Sequence, residues 1–360
     1  MLELIFGIFA LLGALDRITG NHLKIGEEFE KGILSVGTLA VAMVGMITIA
    51  PTLANLLTPA CSWLSQQIGI DSSFLGGFVA NDMGGASIAV SLSQTPWSRF
   101  HGLVVAAMMG VTICFTIPVA LKMVKKEYHQ DMLTGILCGV ATVPLGCVAS
   151  GLFMEFSIGE LLLNLLPVIF VSLLTCLGLV FCPGICRKVF EGIGNLVLII
   201  ITVGLAAGIF THLTGYVLIP GMAPVTDGFM TVVSIAMILA GVFPLISVLS
   251  KILKKPFGWI GNKMGMNEDA VVGLLSSLAN SIPTFTLIEK MNSRGIIINM
   301  AFVTSASFVL GDHLAFTMAF DGAMIPAMVI GKLTGGLLAV VLAVILCNRT
   351  KEKCASIEKS

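Results

Sequence analysis

The sequence predicts an all-α protein that crosses a membrane many times. Of its 360 residues 56% are hydrophobic and only 11% are charged, whereas about a quarter of the residues of a soluble domain are charged. Apolar segments of about 20 residues, the length of a membrane-spanning helix, recur along the whole chain. Two further apolar stretches, 73–93 and 269–288, are interrupted by Asn, Gly or Pro, which is typical of broken helices that line a cavity.

Nine apolar segments are long enough to be full spans. The first begins near the N-terminus and lacks the basic start and the small-residue cleavage site of a signal peptide, so we expect it to be retained. A short tail, residues 349–360, follows the last. The predicted spans are residues 2–17, 32–57, 101–121, 132–153, 160–181, 193–214, 229–250, 296–316 and 324–347.

The chain repeats itself at an offset of 195 or 196 residues. Tryptophan is the most informative match, because there are only three and Trp63 falls opposite Trp259. Glycine pairs agree with it, although a chance register among apolar residues is the alternative. The repeat predicts two halves, 1–153 and 196–348, joined by a linker, 154–195, with its own span. The matching glycines include Gly13 and Gly208, Gly32 and Gly228, Gly45 and Gly241, and Gly69 and Gly265.

The distribution of Lys and Arg predicts the orientation of the halves. Basic loops tend to be cytoplasmic, and the basic segments are 17–31, 122–126, 187–188, 251–263 and the tail. If each interrupted stretch dips into the membrane and returns, every basic loop except that of Arg99 lies inside. The N-terminus is then outside and the C-terminus inside. Five crossings separate equivalent elements, so the halves are inverted, a recurring plan of secondary transporters.

The first interrupted stretch contains the strongest candidate site residues. Asn81 and Asp82 are followed by Gly84 and Gly85. A carboxylate at membrane depth costs about 2.5–3.5 kcal/mol on insertion scales, so a carboxylate in that position usually has a functional role. The two glycines loosen the helix and free backbone carbonyls. An ionised Asp82 would attract a cation and a protonated one would carry a proton; the alternative is a buried polar pair that stabilises packing.

Two other clusters are candidates to line the same cavity. Asn280 and Ser281 stand beside Pro283 in the second interrupted stretch, where simple helix kinking is the alternative. Asp312 and His313 lie near the predicted outer end of span 296–316. They would form a proton relay or a second cation site, unless they merely mark a solvated end of that span.

The sequence disfavours several other classes of protein. It has no dinucleotide fingerprint, phosphate-binding loop or nucleophile elbow, so we expect neither an enzyme nor a cofactor. Cys182 and Cys186 lack the second pair or His cluster that a zinc site needs, so no metal site is predicted. The formal net charge is zero, which gives no reason to expect nucleic acid.

The chain resembles the EutH family of ethanolamine transporters, which are encoded with ethanolamine-utilisation genes. The similarity covers essentially the whole chain and is most specific at Ala80-Asn81-Asp82-Met83-Gly84-Gly85 and at Gly311-Asp312-His313-Leu314-Ala315-Phe316. It extends to residues 13–18, 26–32 and 331–336. The resemblance implies a transporter in the bacterial inner membrane whose substrate is ethanolamine.

Ethanolamine, a protonated amino alcohol, fits the candidate residues. Asp82 would accept charge-assisted hydrogen bonds from the ammonium group, and Asn81, Asn280 or Ser281 would meet the hydroxyl. The chain offers few aromatic side chains to enclose a quaternary amine, which favours ethanolamine over choline. Transport would be uniport or proton-linked, and transporters of this plan often form homodimers. The alternatives are a transporter of another small amine or amino-acid-like solute, and a non-transporting membrane sensor or scaffold.

Overall fold

The computed structural model describes residues 2–79 and 84–357, with side chains up to residue 349. This part of the chain is helical and contains no β-strand, as predicted. The helices are α1 Leu2–Ile18, α2 Gly26–Ile68, α3 Gly85–Leu92, α4 Pro96–Met123, α5 Lys126–Phe153, α6 Ile158–Asn164, α7 Leu166–Phe181, α8 Pro183–Thr214, α9 Val225–Lys263, α10 Glu268–Ser277, α11 Ile282–Leu287, α12 Ser293–Ala306, α13 Asp312–Asp321 and α14 Ile325–Ile357.

The number of predicted full spans is not confirmed. Among the described residues, six helical segments are long and apolar enough to cross a membrane: α2, α4, α5, α8, α9 and the combined segment Asp312–Arg349. The bent pair α6–α7 makes a seventh if it is counted as one span. Its 50° bend precedes Pro167, whose ring removes a backbone donor. The first predicted span, 2–17, corresponds to α1, which has only 17 residues.

The predicted span 296–316 is wrong as a continuous helix. Helix α12 ends at Ala306 and α13 begins at Asp312. Between them Ser307 is extended, and Phe308 has a φ of 62°, a left-handed conformation that is unfavourable for a bulky side chain. Asp312 and His313 therefore begin a new helix after a break, and do not end a span. Helix α13 instead continues towards α14, so the predicted span 324–347 lies within a longer segment, Asp312–Arg349.

Each interrupted stretch forms a pair of short arms that pack together. In the second, which we call the second hairpin (269–288), α10 has 10 residues and α11 has 6, too few to cross a membrane. The Thr284 hydroxyl donates to the Gly273 carbonyl at 2.8 Å and ties the two arms. In the first hairpin (73–93), Gly76 lies so close to α3 that a Cβ atom there would be 2.5 Å from the Ala89 Cβ.

A polar side chain closes the base of each hairpin. The Asp71 carboxylate accepts hydrogen bonds from Ser73 at 2.5 Å, from Thr95 at 2.7 Å and from Ser93 at 3.1 Å. Burial alone would raise the pKa of Asp71, but these hydrogen bonds outweigh it and hold the pKa below its ordinary value. At the base of the second hairpin, the Asn267 amide donates to the Lys290 carbonyl at 2.7 Å.

Replacing Asp71 should weaken the first hairpin in a pH-dependent way. A carboxylate with a lowered pKa stabilises the fold above its unfolded-state pKa, and this contribution disappears as the pH falls through the folded-state pKa. We therefore expect Asp71→Asn to lower the Tm at pH 7. The difference from the unmodified protein should shrink below about pH 4, near the ordinary Asp value. Thermal unfolding across pH tests this; the exposed Asp227→Asn is the control, and a pH-independent difference would contradict the prediction.

The two hairpin bases lie at opposite ends of α5, whose 28 residues extend about 42 Å. At one end the Asp71 amide donates to Asn164, which follows α5 in the chain, at 2.7 Å. At the other end Lys125, just before α5, pairs with Glu289 at 2.6 Å. The one basic residue that departs from the predicted charge pattern, Arg99, pairs with Asp321 at 3.1 Å.

Small residues let α5 pack closely against α12 and α14, as is common between membrane helices. A Cβ atom on Gly139 would overlap the Thr304 side chain. The Thr142 hydroxyl donates to the Gly335 carbonyl at 2.9 Å, and the Ser150 hydroxyl donates to the Ala327 carbonyl at 2.6 Å. These contacts hold α12 and α14 against α5.

We expect Gly139→Val to disrupt this packing, because the added side chain has no room beside Thr304. Overpacking of a tight core costs about 1–3 kcal/mol, so the variant should lose several degrees in Tm or fail to give a monodisperse peak in size-exclusion chromatography. Gly159→Val is the matched control, since no atom lies within 4 Å of the Cβ position of Gly159. Equal behaviour of the two variants would show that close packing at Gly139 is dispensable.

Candidate functional site

The strongest candidates from sequence, Asn81 and Asp82, lie outside the described residues. The residues on either side are described: Gly84 and Gly85 are buried at the start of α3. Both arms of the first hairpin run along α4. Gly102 is close against Ala86, and the Cys114 thiol donates to the Phe78 carbonyl at 3.2 Å.

Helix α4 is irregular where the first hairpin meets it. Residues 100–110 and 112–116 form π-helical turns, which are rare and occur frequently at functional sites. The Thr112 hydroxyl lies 2.6 Å from the Met108 carbonyl and 2.7 Å from the Thr304 carbonyl of α12. This irregularity was not predicted, since residues 101–121 have the pattern of an ordinary span.

The break between α12 and α13 is held by the tip of the second hairpin. The Phe308 amide donates to the Ser277 carbonyl and the Leu310 amide donates to the Leu278 carbonyl, both at 2.9 Å. A Cβ atom on Gly311 would overlap the Ala279 carbonyl. These contacts satisfy backbone groups that would otherwise be costly to leave unpaired in a membrane.

Aromatic rings bring the irregular part of α4 against this break. The Phe115 and Phe308 ring centroids are 5.8 Å apart, and the His313 ring lies 5.0 Å from that of Phe308. His313 is fully buried, whereas Asp312 beside it is partly exposed. The tip of the second hairpin, the break and α4 therefore meet at one place.

Unsatisfied polar side chains accumulate around this meeting point. Five side chains there are fully buried and have polar atoms with no hydrogen-bond partner in the described part of the chain: Thr116, Ser281, Ser307, His313 and Thr317. We call them the central polar cluster. Buried polar groups are nearly always hydrogen-bonded, because an unpaired one costs about 1–3 kcal/mol. A small polar solute or water would satisfy them.

Lys332 was not among the predicted site residues. It is fully buried in α14, and its ammonium group donates to the Ala107 carbonyl in the irregular part of α4 at 2.5 Å. It forms no ion pair with any carboxylate of the described residues. An isolated Lys within an apolar span was the available signal, since such residues mark functional sites by default.

The structure brings together only some of the other predicted residues. Ser281 and His313 belong to the central polar cluster, and Asp312 lies next to it. Asn280 has a different role, since its side-chain oxygen accepts from the Ile282 amide at 2.9 Å and caps α11. In the described part of the chain no group of three or more His, Cys, Asp and Glu side chains is arranged to hold a metal ion.

Comparison with known proteins agrees with the resemblance seen in the sequence. The family model described as "Ethanolamine utilisation protein, EutH" matches residues 1–346. A "Probable ethanolamine permease EutH" from Listeria monocytogenes is 47% identical over 312 residues, which cover 86% of this chain and 84% of that relative. The "Probable ethanolamine permease EutH" of Escherichia coli is 36% identical over 358 residues, covering 88% of each chain. "Uncharacterized protein YxeR" of Bacillus subtilis is 40% identical over 314 residues, covering 87% and 85%. No solved structure matches the chain.

Proposed function

This chain belongs to the EutH family of ethanolamine utilisation proteins, and on that premise we propose that it imports ethanolamine across the bacterial inner membrane. Relatives from Listeria monocytogenes and Escherichia coli are named probable ethanolamine permeases. The helices of this chain that are long and apolar enough to span a membrane suit the same task.

The central polar cluster is the observation that carries this proposal. It gathers two kinds of partner: the hydroxyls of threonine and serine, and the imidazole of His313. Ethanolamine has an ammonium group and a hydroxyl group two carbons apart, so it offers both donors and an acceptor. A buried set of unpaired polar atoms where the second hairpin, the break and α4 meet is suited to such a solute, because binding would remove the cost of leaving those atoms unpaired.

We assign the ammonium group to Asp82. An ionised carboxylate forms the strongest hydrogen bonds with an ammonium donor, and Asn81, Gly84 and Gly85 would complete that side of the site. Two observations support the assignment. The arms that flank residues 80–83 follow α4 as far as Cys114, and the next residue, Phe115, contacts Phe308 beside the cluster. Asp312 would provide a second carboxylate near the same solute.

The proposed mechanism is alternating access by two inverted halves with nine crossings in total. Reciprocal contacts support it: Gly32 packs against Ala240, and its equivalent Gly228 packs against Val44, the equivalent of Ala240. In the same way Gly45 packs against Ile201, and Gly241 packs against Phe6. These are the contacts expected when two similar halves are related by a two-fold axis, and the hairpins would gate the site from opposite sides.

The charge pattern supports an outside N-terminus and an inside C-terminus. The base of the second hairpin lies with Lys125 and Arg294, and Arg294 donates to Asn348 at 2.8 Å. Basic residues gather at this end, as the positive-inside rule expects of the cytoplasmic face. The base of the first hairpin, at Asp71, would then face the outside.

Counterflow tests the function directly. Proteoliposomes that contain the purified protein and unlabelled ethanolamine should accumulate radiolabelled ethanolamine, whereas empty liposomes should not. Repeating the assay across a pH gradient distinguishes proton-linked transport from uniport. Competition by ethanolamine but not by choline would support the proposed substrate. Flux equal to that of empty liposomes would overturn the proposal and favour a membrane sensor or scaffold.

A further inference from the structure

A wholly apolar groove opens between α9, the second hairpin and α14. Its volume is about 360 Å³, and every side chain that lines it is apolar. Phe257 of α9 and Met264, which directly follows α9, form one wall and Leu337 of α14 the other. The inner end reaches Leu278 and Leu310, at the contact between the hairpin tip and the break. This groove is distinct from the central polar cluster, with which it shares no side chain.

The equivalent face of the first half is covered by the chain itself. Phe257, Met266 and Leu274 of the groove correspond at an offset of 196 residues to Cys61, Ile70 and Phe78, which pack in one apolar cluster with Leu163 of α6. Helix α7 covers the adjoining surface of α5, where the Cys176 thiol lies 3.9 Å from the Leu137 carbonyl. Leu137 corresponds to Leu333 of the groove. No second copy of the pair α6–α7 lies over the groove in the part of the chain that the structure describes.

The mouth of the groove carries positive charge. Lys263 ends α9, and the Arg294 guanidinium donates to the Met264 carbonyl and to Asn348. Arg349 is exposed near the same point on α14. Lys263 lies 3.7 Å over the Trp259 ring, and none of the three forms an ion pair with a carboxylate among the described residues. Such cationic groups at a membrane surface attract anionic lipid. The groove thus joins an apolar channel to a cationic mouth.

We propose that this groove binds one acyl chain of an anionic phospholipid, whose phosphate group is held by Lys263, Arg294 and Arg349. The acyl chain supplies the apolar cover that α6 and α7 provide in the other half. Its inner end would press on Leu278 and Leu310, and so brace the second hairpin against the break. The lipid would therefore influence hairpin movement, a consequence that rests on the proposed transport function.

Lipid binding can be measured without a transport assay. Phosphatidylglycerol and phosphatidylcholine of identical chains are added to detergent-purified protein, and bound lipid is counted by native mass spectrometry while the Tm is measured. We expect phosphatidylglycerol to be retained and to raise the Tm by roughly 2 °C more than phosphatidylcholine does, about the shift produced by a ligand at ten times its Kd. The double variant Lys263→Gln, Arg349→Gln should lose this preference, whereas Lys126→Gln, Lys188→Gln, which removes two exposed charges elsewhere, should keep it.

A second variant tests the groove itself. Leu274→Trp fills the space and should reduce retention of phosphatidylglycerol, while Leu173→Trp, at an exposed position on α7, should not. Equal effects of the two lipids, or a preference that survives the charge variant, would overturn the proposal. Leu274→Trp could instead change the oligomeric state and leave lipid retention unchanged. That result would also overturn the proposal, because a second copy of the chain would then be what covers the groove. Lipid binding by a protein that shows no ethanolamine flux would support this inference while the proposed function fails.

Discussion

Asp82→Asn is expected to reduce ethanolamine uptake by about thirtyfold or more at every pH at which the wild-type protein is active. The substitution keeps the size of the side chain and removes its charge. Loss of one partner from a buried, hydrogen-bonded charge pair costs about 2 kcal/mol or more, which corresponds to that factor. The loss should fall on affinity for any primary amine, because the carboxylate is proposed to bind the ammonium group and not the hydroxyl.

The measurement is initial-rate uptake into proteoliposomes over a range of substrate concentrations. Asp227→Asn is the matched control, since Asp227 is exposed near the start of α9 and should have no effect. Size-exclusion profiles of both variants would show whether folding is preserved. Uptake by Asp82→Asn equal to that of the wild-type protein would remove Asp82 from the site, and the ammonium partner would then be sought at Asp312.

The helical class and the two hairpins could be predicted because their causes are local in sequence. Composition alone demands a membrane environment, and the polar residues Asn280 and Ser281 beside Pro283 interrupt an apolar stretch and indicate a break there. The side chains that cap the helices at the hairpin bases also bond to residues close to them in the sequence. Asp71 and Asn267 each accept from a backbone amide two or three residues ahead, a standard way to begin a helix.

The break at 307–311 has a cause that lies elsewhere in the chain. Residues 296–316 are apolar enough for one helix, and Phe308 gives no sign that its backbone is left-handed. The contacts that compensate come from Ser277 and Leu278, some thirty residues earlier. The irregular turns of α4 are similar, since their partners include Thr304 and Lys332. A single sequence does not reveal such distant pairs, so the central polar cluster was only partly foreseen.

The second large effect that we expect concerns the substrate hydroxyl. If the central polar cluster binds it, the protein should prefer ethanolamine to ethylamine, which lacks the hydroxyl, by about tenfold or more. A site whose buried polar groups are left unpaired by an analogue rejects that analogue strongly. Ser307→Ala and Thr317→Val remove two of the cluster hydroxyls, and Thr317→Val does so with little change of shape.

These variants should lower ethanolamine uptake while leaving ethylamine uptake nearly unchanged, so that the two substrates become alike. Asp82→Asn should instead reduce the uptake of both ethanolamine and ethylamine. The two kinds of variant therefore distinguish the end of the site that binds the ammonium group from the end that binds the hydroxyl. The control is Ser150→Ala, which removes a fully buried hydroxyl that already has a partner in the Ala327 carbonyl. It should reduce stability without altering the ratio of the two uptake rates. If that ratio is the same in all of these proteins, the cluster does not contact the solute and its unpaired atoms bind only water.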